Sequence, residues 1–196
     1  IDKVLKKLEP INENDVQEWN EIKKEFSNIS VSRKTKGISW GGAYFQYVED
    51  ISKIPYHKSS LSLEKSLWVT KFTKSGSVIE KVTGELNPGD QIKVRIVLRT
   101  DRDLEYVHLK DHRGSGMEPE NVLSTWKYQD GLGYYEATGD TATNFFISYL
   151  PKGTYVFEYP ARIQHRGRYE TGFASIQCMY APEFSSHSQS IPVSVK

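Results

Sequence analysis

The residues of this 196-residue chain that could do chemistry are few and scattered. The single cysteine, Cys178, is followed by one of only two methionines, Met179, and then by Tyr180, within the stretch ASIQCMYAPEFSS. Ala181-Pro182 comes next. The residue before a proline is biased to extended geometry, and proline donates nothing to a sheet ladder, so a strand is expected to end here. A thioether and a phenol at a strand terminus can face the chain's own core or a partner. By alternation Met179 faces away from Cys178, and Tyr180 returns to the Cys178 face unless the Ala-Pro break twists it outward. A nucleophilic Cys178 needs a base and an orienting group. His165 and His187 are the nearby histidines, and no spacing requires either to approach it. A lone cysteine in an apolar strand is expected to be a core residue.

The other candidates are weaker. His108 and His112 are four apart, the spacing of a zinc-binding helix, but their segment reads as a strand running into a loop. Four residues of strand span about 13 Å, too far for two ligands of one zinc ion. Asp111 and Glu105 are expected in solvent. Gly114-Ser115-Gly116 has no following lysine or helix and cannot be a phosphate loop. No Gly-x-Ser-x-Gly elbow occurs. The expectation is therefore no catalytic residue, no metal site and no cofactor: a binding or structural module rather than an enzyme.

These side chains must be positioned by strands. Charge is balanced, 26 Lys+Arg against 25 Asp+Glu, so no basic surface for nucleic acid is implied. Twelve tyrosines among 12% aromatics lean toward sheet. One cysteine excludes an internal disulfide framework, and no apolar run is long enough to span a membrane. The chain opens in mid-pattern at Ile1-Asp2-Lys3-Val4-Leu5 and is expected to be part of something longer, with any export signal or lipid anchor upstream. A helix is predicted at about 14–27, capped by Asn14-Asp15, with Val16, Trp19, Ile22 and Phe26 on one face. Strands are predicted at 29–33 and 38–54, and a linker at 55–60. Beyond that, alternation and turn residues predict short strands at 61–72, 92–98, 104–110, 126–128, 134–137, 144–150, 154–159, 168–173, 174–180 and 190–195. The segment 111–121 is predicted as a loop. The fold class is all-β, an immunoglobulin-like antiparallel sandwich with one N-terminal helix.

Several runs combine into a resemblance. Leu86-Asn87-Pro88-Gly89-Asp90-Gln91-Ile92-Lys93-Val94 is similar to an L-x-x-G-D-x-(V/I)-x-V opening. Asp101-Arg102-Asp103-Leu104-Glu105-Tyr106-Val107 resembles a D-R-D-(L/M)-E-Y-V segment, and Gly116-Met117-Glu118-Pro119 a G-(F/L/M)-E-P loop. Asn144-Phe145-Phe146 and Leu150-Pro151-Lys152-Gly153-Thr154-Tyr155 resemble an F-F and L-P-x-G-T-Y hairpin, and Cys178-Met179-Tyr180-Ala181-Pro182-Glu183 a (A/C)-M-Y-A-P-E signature. In this order they resemble the last macroglobulin-like domain, the tenth in the usual naming, of bacterial alpha-2-macroglobulins. The resemblance covers roughly 61–196. Upstream, WGGAYFQYVEDISKI (40–54) resembles the CUB-like segment that follows the thioester domain in Bacteroidetes-type members. This implies two domains: 1–57, the tail of a CUB-like region, and 58–196, the terminal macroglobulin-like domain.

The resemblance implies a C-terminal fragment of a broad-spectrum protease inhibitor that traps its targets. Such proteins are exported, to the periplasm or cell surface of a Gram-negative bacterium. Partners would be the thioester and neighbouring macroglobulin domains of the parent chain, and target proteases through the parent, with no nucleic acid and no direct membrane insertion. The family's thioester-shielding pair falls on Met179 and Tyr180. The thioester motif Cys-x-Glu-Gln does not occur in this sequence, and Cys178 is not the thioester cysteine. If the parent carries no thioester, Met179 and Tyr180 are interdomain packing or this domain's own edge. The alternative reading is a β-sandwich adhesion or carbohydrate-binding module, with Trp126, Tyr128, Tyr134 and Tyr135 as its exposed aromatics.

Overall fold

Side chains that alternate between apolar and polar along a pleated ribbon bury one face of it, and that rule organises most of this chain. The computed structural model describes residues 36–38 and 48–196. The chain divides into two units, Ile1–Gln46 and Tyr47–Lys196. The first contributes only a bend at Lys36-Gly37 and the exposed Ile38 to the described residues. The helix expected at 14–27 and the strand expected at 29–33 lie outside the described residues, as does most of the strand expected at 38–54. Its described end is not a strand: Val48–Asp50 is irregular and Ile51–Lys53 forms one 3-10 turn.

The second unit is built of β1 (Leu61–Thr73), β2 (Gly76–Lys81), β3 (Gln91–Thr100), β4 (Leu104–His112), β5 (Met117–Pro119), β6 (Thr125–Gln129), β7 (Leu132–Thr138), β8 (Ala142–Leu150), β9 (Gly153–Ile163), β10 (Gly167–Glu170), β11 (Ala174–Cys178), β12 (Ala181–His187) and β13 (Pro192–Val195). One sheet has the order β2-β1-β3-β9-β5, the other β12-β11-β4-β8-β7-β6, and β10 pairs with β13 in a ribbon. This is the expected antiparallel sandwich. Three elements were not anticipated. β5 lies in the expected loop, where Met117 is buried and pairs opposite Ile163. β2 is exposed along its whole length, so no burial pattern announces it. β12 returns from the predicted strand break.

The motif residues have structural work. Gly89 takes φ of 93° in the Asn87-Pro88-Gly89-Asp90 turn, and Asp90 Oδ2 accepts the Asn87 N–H at 2.8 Å. Gly116 lies so close to Tyr169 that an added Cβ would stand 2.4 Å from its ring. Asp103 ties two turns together: it accepts the Lys152 N–H at 2.7 Å and the Tyr149 hydroxyl at 2.9 Å. Those two bonds, the backbone one foremost, hold its carboxyl below the ordinary carboxylate range.

Inward faces of the two sheets meet through Leu61, Leu63 and Leu67 of β1, Ile92, Val94, Ile96 and Leu98 of β3, Val107 and Leu109 of β4, Phe145 and Ile147 of β8 and Phe157 of β9. Phe145 and Phe157 pack with centroids 5.1 Å apart. Buried charged side chains interrupt this apolar pattern: Glu136 of β7, 1% exposed and paired with Lys127 of β6, and a pair that crosses between the sheets. Lys65 lies between Leu63 and Leu67, and Asp111 follows Leu109. Their side chains are 1% and 0% exposed, and Lys65 Nζ donates to Asp111 Oδ1 at 2.6 Å. The solvated Asp111 of the sequence reading is thus corrected: the pleat directs it inward, onto a cation from the facing sheet.

Lys65 Nζ also donates to the carbonyls of His112 at 3.0 Å and of Thr171 and Gly172 at 3.1 Å. Tyr159 donates its hydroxyl to Asp111 Oδ2 at 2.6 Å. Burial, and then the negative Asp111, push the Tyr159 phenol well above its usual pKa. Gly172 reaches its place with φ of 73°, where an added Cβ would stand 2.6 Å from His112 Cβ. Expensive desolvation of the two charges is offset because each ion keeps several hydrogen bonds.

Removing one partner strands the other. Lys65→Met is expected to destabilise the domain by about 3–5 kcal/mol, and Lys65→Met with Asp111→Leu by clearly less. Urea midpoints at constant slope read both changes; a single substitution costing under about 1 kcal/mol would show that the pair does not hold the sheets. Asp103, whose carboxyl is lowered in the fold, contributes stability that is complete above the unfolded carboxylate pKa, about 4, and fades as pH falls through its lower folded value. Asp103→Asn should therefore flatten the acid limb of a stability–pH curve, and an unchanged acid limb would remove Asp103 from that role.

Candidate functional site

Met179 and Tyr180 are neither at a strand end nor on a pleated face. They are the two loop residues of the β11–β12 hairpin, between the paired residues Cys178 and Ala181. This corrects the strand break expected at Ala181-Pro182. The chain reverses and continues as β12, an edge strand, where proline's missing N–H removes no interior ladder bond. Alternation stops applying at the turn, and both side chains are exposed, Met179 58% and Tyr180 80%.

Turn chemistry does not explain the two residues. Two-residue hairpin loops favour positive φ and residues such as Asn, Asp and Gly. The β6–β7 hairpin of the same sheet obeys this, with Asp130 at φ 51° and Gly131 at 80°. The Met-Tyr loop does not: among the described residues only Tyr106 and Asp130 are non-glycines with positive φ. A thioether and a phenol have been set in solvent at a position that prefers small polar residues.

Cys178 is buried, as expected, and its thiol donates to the Glu105 carbonyl at 3.0 Å. Neither His187 nor His165 stands beside it in the strand register. His187 stands opposite Ser175, three residues along β11, and stacks with His57 at 5.6 Å. His165 follows the end of β9. His108 and His112 share the outward face of β4. His108 Nε2 lies 3.0 Å from Asn144 Oδ1 with its ring on Phe146, and His112 packs on Phe173. Burial, then Lys110, lower the His112 pKa. Among the described residues, no three His, Cys, Asp or Glu side chains are grouped to hold a metal, and no helix is long and apolar enough to cross a membrane.

The sequence reading missed what lies beside the turn. Register places Gln177, His108, Phe146, Tyr135 and Trp126 in one row across five strands of the outer face. Tyr106, Trp126, Tyr135, Phe146, Ser148 and Met179 line a shallow groove of about 280 Å³ on that face. Trp126 meets Tyr135 edge-on at 5.5 Å. Of the aromatics named for the alternative reading, Trp126 and Tyr128 are exposed and Tyr135 is half-buried. Tyr134 is corrected to a core residue, 3% exposed and packed on Phe157 at 5.1 Å. Alternate spacing on β7 separates the two tyrosines; only their pairing partners show which one faces out.

A family model described as "Bacterial Alpha-2-macroglobulin MG10 domain" matches residues 61–183. No curated protein matches. Similar solved structures include a tyrosine-to-glycine mutant of Salmonella alpha-2-macroglobulin, at 18% identity over 74% of this chain and 10% of that chain, with a TM-score of 0.58. Native Escherichia coli alpha-2-macroglobulin spanning domain MG7 to the C-terminus is 15% identical over 74% of this chain and 25% of that one, TM-score 0.59. Escherichia coli alpha-2-macroglobulin activated by porcine elastase is 16% identical over 73% and 14%, TM-score 0.59. At these identities the likeness is one of fold. The chain spans 10% of the first of these proteins.

Because they are exposed, Met179→Ala and Tyr180→Ala should each change the stability of this domain by no more than about 1 kcal/mol. Thermal unfolding measures this; a loss of several kcal/mol would make the turn a folding element rather than a presented surface.

Proposed function

This chain belongs to the bacterial alpha-2-macroglobulin family through its MG10 domain, and on that premise we propose that it is the C-terminal part of a protease-trapping inhibitor whose Met179 and Tyr180 pack against, and shield, a thioester in another domain of the parent. In this reading residues 1–57 are the tail of a CUB-like region and 58–196 the MG10 domain. The domain performs no catalysis. It acts in an exported parent, in the periplasm or at the cell surface, with the thioester and neighbouring macroglobulin domains as its direct partners and target proteases reached through the parent.

One observation carries the reading: a Met-Tyr pair presented in solvent at a hairpin loop where turn chemistry favours neither residue. An electrophilic acyl group survives only where water is excluded. A polarizable thioether and an aromatic ring do that well, and the phenol can hydrogen-bond at the rim.

The aromatic row from His108 to Trp126 favours a second reading, a carbohydrate-binding face, since sugars stack on exposed rings. Trp126→Ala would then abolish retention on immobilised polysaccharide, whereas the shielding reading expects no retention by either form.

For shielding, the measurement is the reaction of the intact parent with methylamine. Replacing both residues, Met179→Ala with Tyr180→Ala, should raise the rate by about tenfold or more, equivalent to at least about 1.4 kcal/mol of lost protection. An unchanged rate would leave Met179 and Tyr180 as simple packing or edge residues.

A further inference from the structure

Tyr106 lies within the most distorted part of the site. It is a bulky aromatic at φ of 52°, in a region such residues rarely occupy. Register along β4 and β8 runs Glu105 opposite Tyr149 and Val107 opposite Ile147, with Tyr106 itself unpaired between them. Backbone strain of this kind persists where surrounding structure imposes it, and it clusters at functional positions.

What the distortion achieves can be seen across the strand pair. β4 and β11 pair up to Val107 and Cys178, and the next step places Tyr106 beside the turn. The Tyr106 carbonyl accepts the Met179 N–H at 2.9 Å. The neighbouring Glu105 carbonyl accepts the Cys178 thiol at 3.0 Å. Two consecutive carbonyls of β4 thus hold two consecutive residues of the hairpin. The Tyr106 ring meets Tyr180 edge-to-face, with centroids 5.2 Å apart and planes at 86°. The ring also lines the groove that ends at Met179.

The hairpin needs such support. Its loop lacks the positive φ values that match the twist of the flanking strands. Its register also shifts between Gln177 and Cys178, so that Gln177 pairs with Ser185 but Cys178 with Ala181. The turn is therefore poorly specified by its own backbone, and the adjacent strand holds it through the Met179 N–H and the Tyr180 ring.

We infer that Tyr106 is a positioning residue, whose left-handed backbone and ring hold the Met179–Tyr180 turn in the orientation its partner covers. The inference rests on the packing proposed above. The Tyr106 side chain is 51% exposed and is not a member of the sandwich core.

The test uses the full parent chain and its response to hydrogen peroxide, with sulfoxide formation mapped to individual methionines. Met117, buried in the core, is the internal reference for full protection. In the wild-type parent Met179 should oxidise about as slowly as Met117. Tyr106→Gly removes the ring while tolerating the same φ, so it should speed Met179 oxidation by about tenfold and leave the melting temperature unchanged or raised. Tyr106→Phe keeps the ring and should behave as wild type. Continued protection of Met179 in Tyr106→Gly overturns the inference while leaving the packing intact. So does a general loss of stability that exposes Met117 as much as Met179, because that marks an ordinary structural residue. Rapid oxidation of Met179 in the wild-type parent ends the packing reading, and the role of Tyr106 with it.

Discussion

A lysine ammonium and an aspartate carboxylate, both out of water, face each other across the gap between the two sheets. Lys65 arrives from β1 and Asp111 from β4, and Tyr159 of β9 closes the second carboxylate oxygen. Apolar contacts in a sandwich are non-directional and would tolerate small shifts of one sheet over the other. An ion pair at 2.6 Å, with the cation also fixed to three backbone carbonyls, does not. The carbonyls belong to His112, at the end of β4, and to Thr171 and Gly172, in the connection from β10 to β11. The same lysine therefore fixes where β11 starts, four residues before Cys178. β11 leads into the Met-Tyr turn, so this buried contact sets the starting point of the strand that carries it.

The opposite edge of the hairpin is held by a different device. β12 is an edge strand, and an exposed edge invites unwanted pairing. The segment expected as a linker covers it. His57 and His187 exchange both backbone hydrogen bonds at 3.1 Å, Ser186 Oγ donates to the His57 carbonyl at 2.6 Å, and Ser59 Oγ donates to the Ser185 carbonyl at 2.7 Å. Pro182 and the register shift at Cys178 further limit what could add to this edge. PYHKSS reads in sequence as a short polar linker; the partner of its Ser59 hydroxyl lies 126 residues away and only the fold shows it.

Legibility followed the range of the forces involved. Alternation is local, so β3, β4, β8 and β9 could be read from single strands, as could the Asp-Gly turn whose backbone demands those residues. Lys65 was visible only as a gap in the run Leu61, Leu63, Leu67, Val69. Its meaning needs Asp111, 46 residues on and in the other sheet. Asp111 itself looks like any strand-end carboxylate until the pleat direction is known. The aromatic row is likewise a product of register. His108, Phe146, Tyr135 and Trp126 come from four strands, and no spacing in the sequence brings them together. Met179 and Tyr180 were identified through a motif, and their geometry was misjudged because the proline after them was taken to end a strand that in fact turns.

Their place in a loop bears on what the pair can do. Adjacent residues on a strand face opposite ways, and a partner approaching one face would meet only one of them. In this two-residue loop both side chains are exposed and both lie beside Tyr106: Met179 lines the outer-face groove with it, and Tyr180 packs on its ring. A thioether and a phenol are thereby presented on one side of the turn, next to the aromatic row. Such an arrangement carries an intrinsic difficulty: large side chains in a loop with ordinary φ values do little to fix the loop's direction. The distortion of the chain appears one strand away, at Tyr106, whose carbonyl and ring both engage the turn. Strain borne by β4, which is paired on both sides and anchored at Asp111, is sustainable. The same strain within the solvent-exposed loop would be relieved by the loop simply moving.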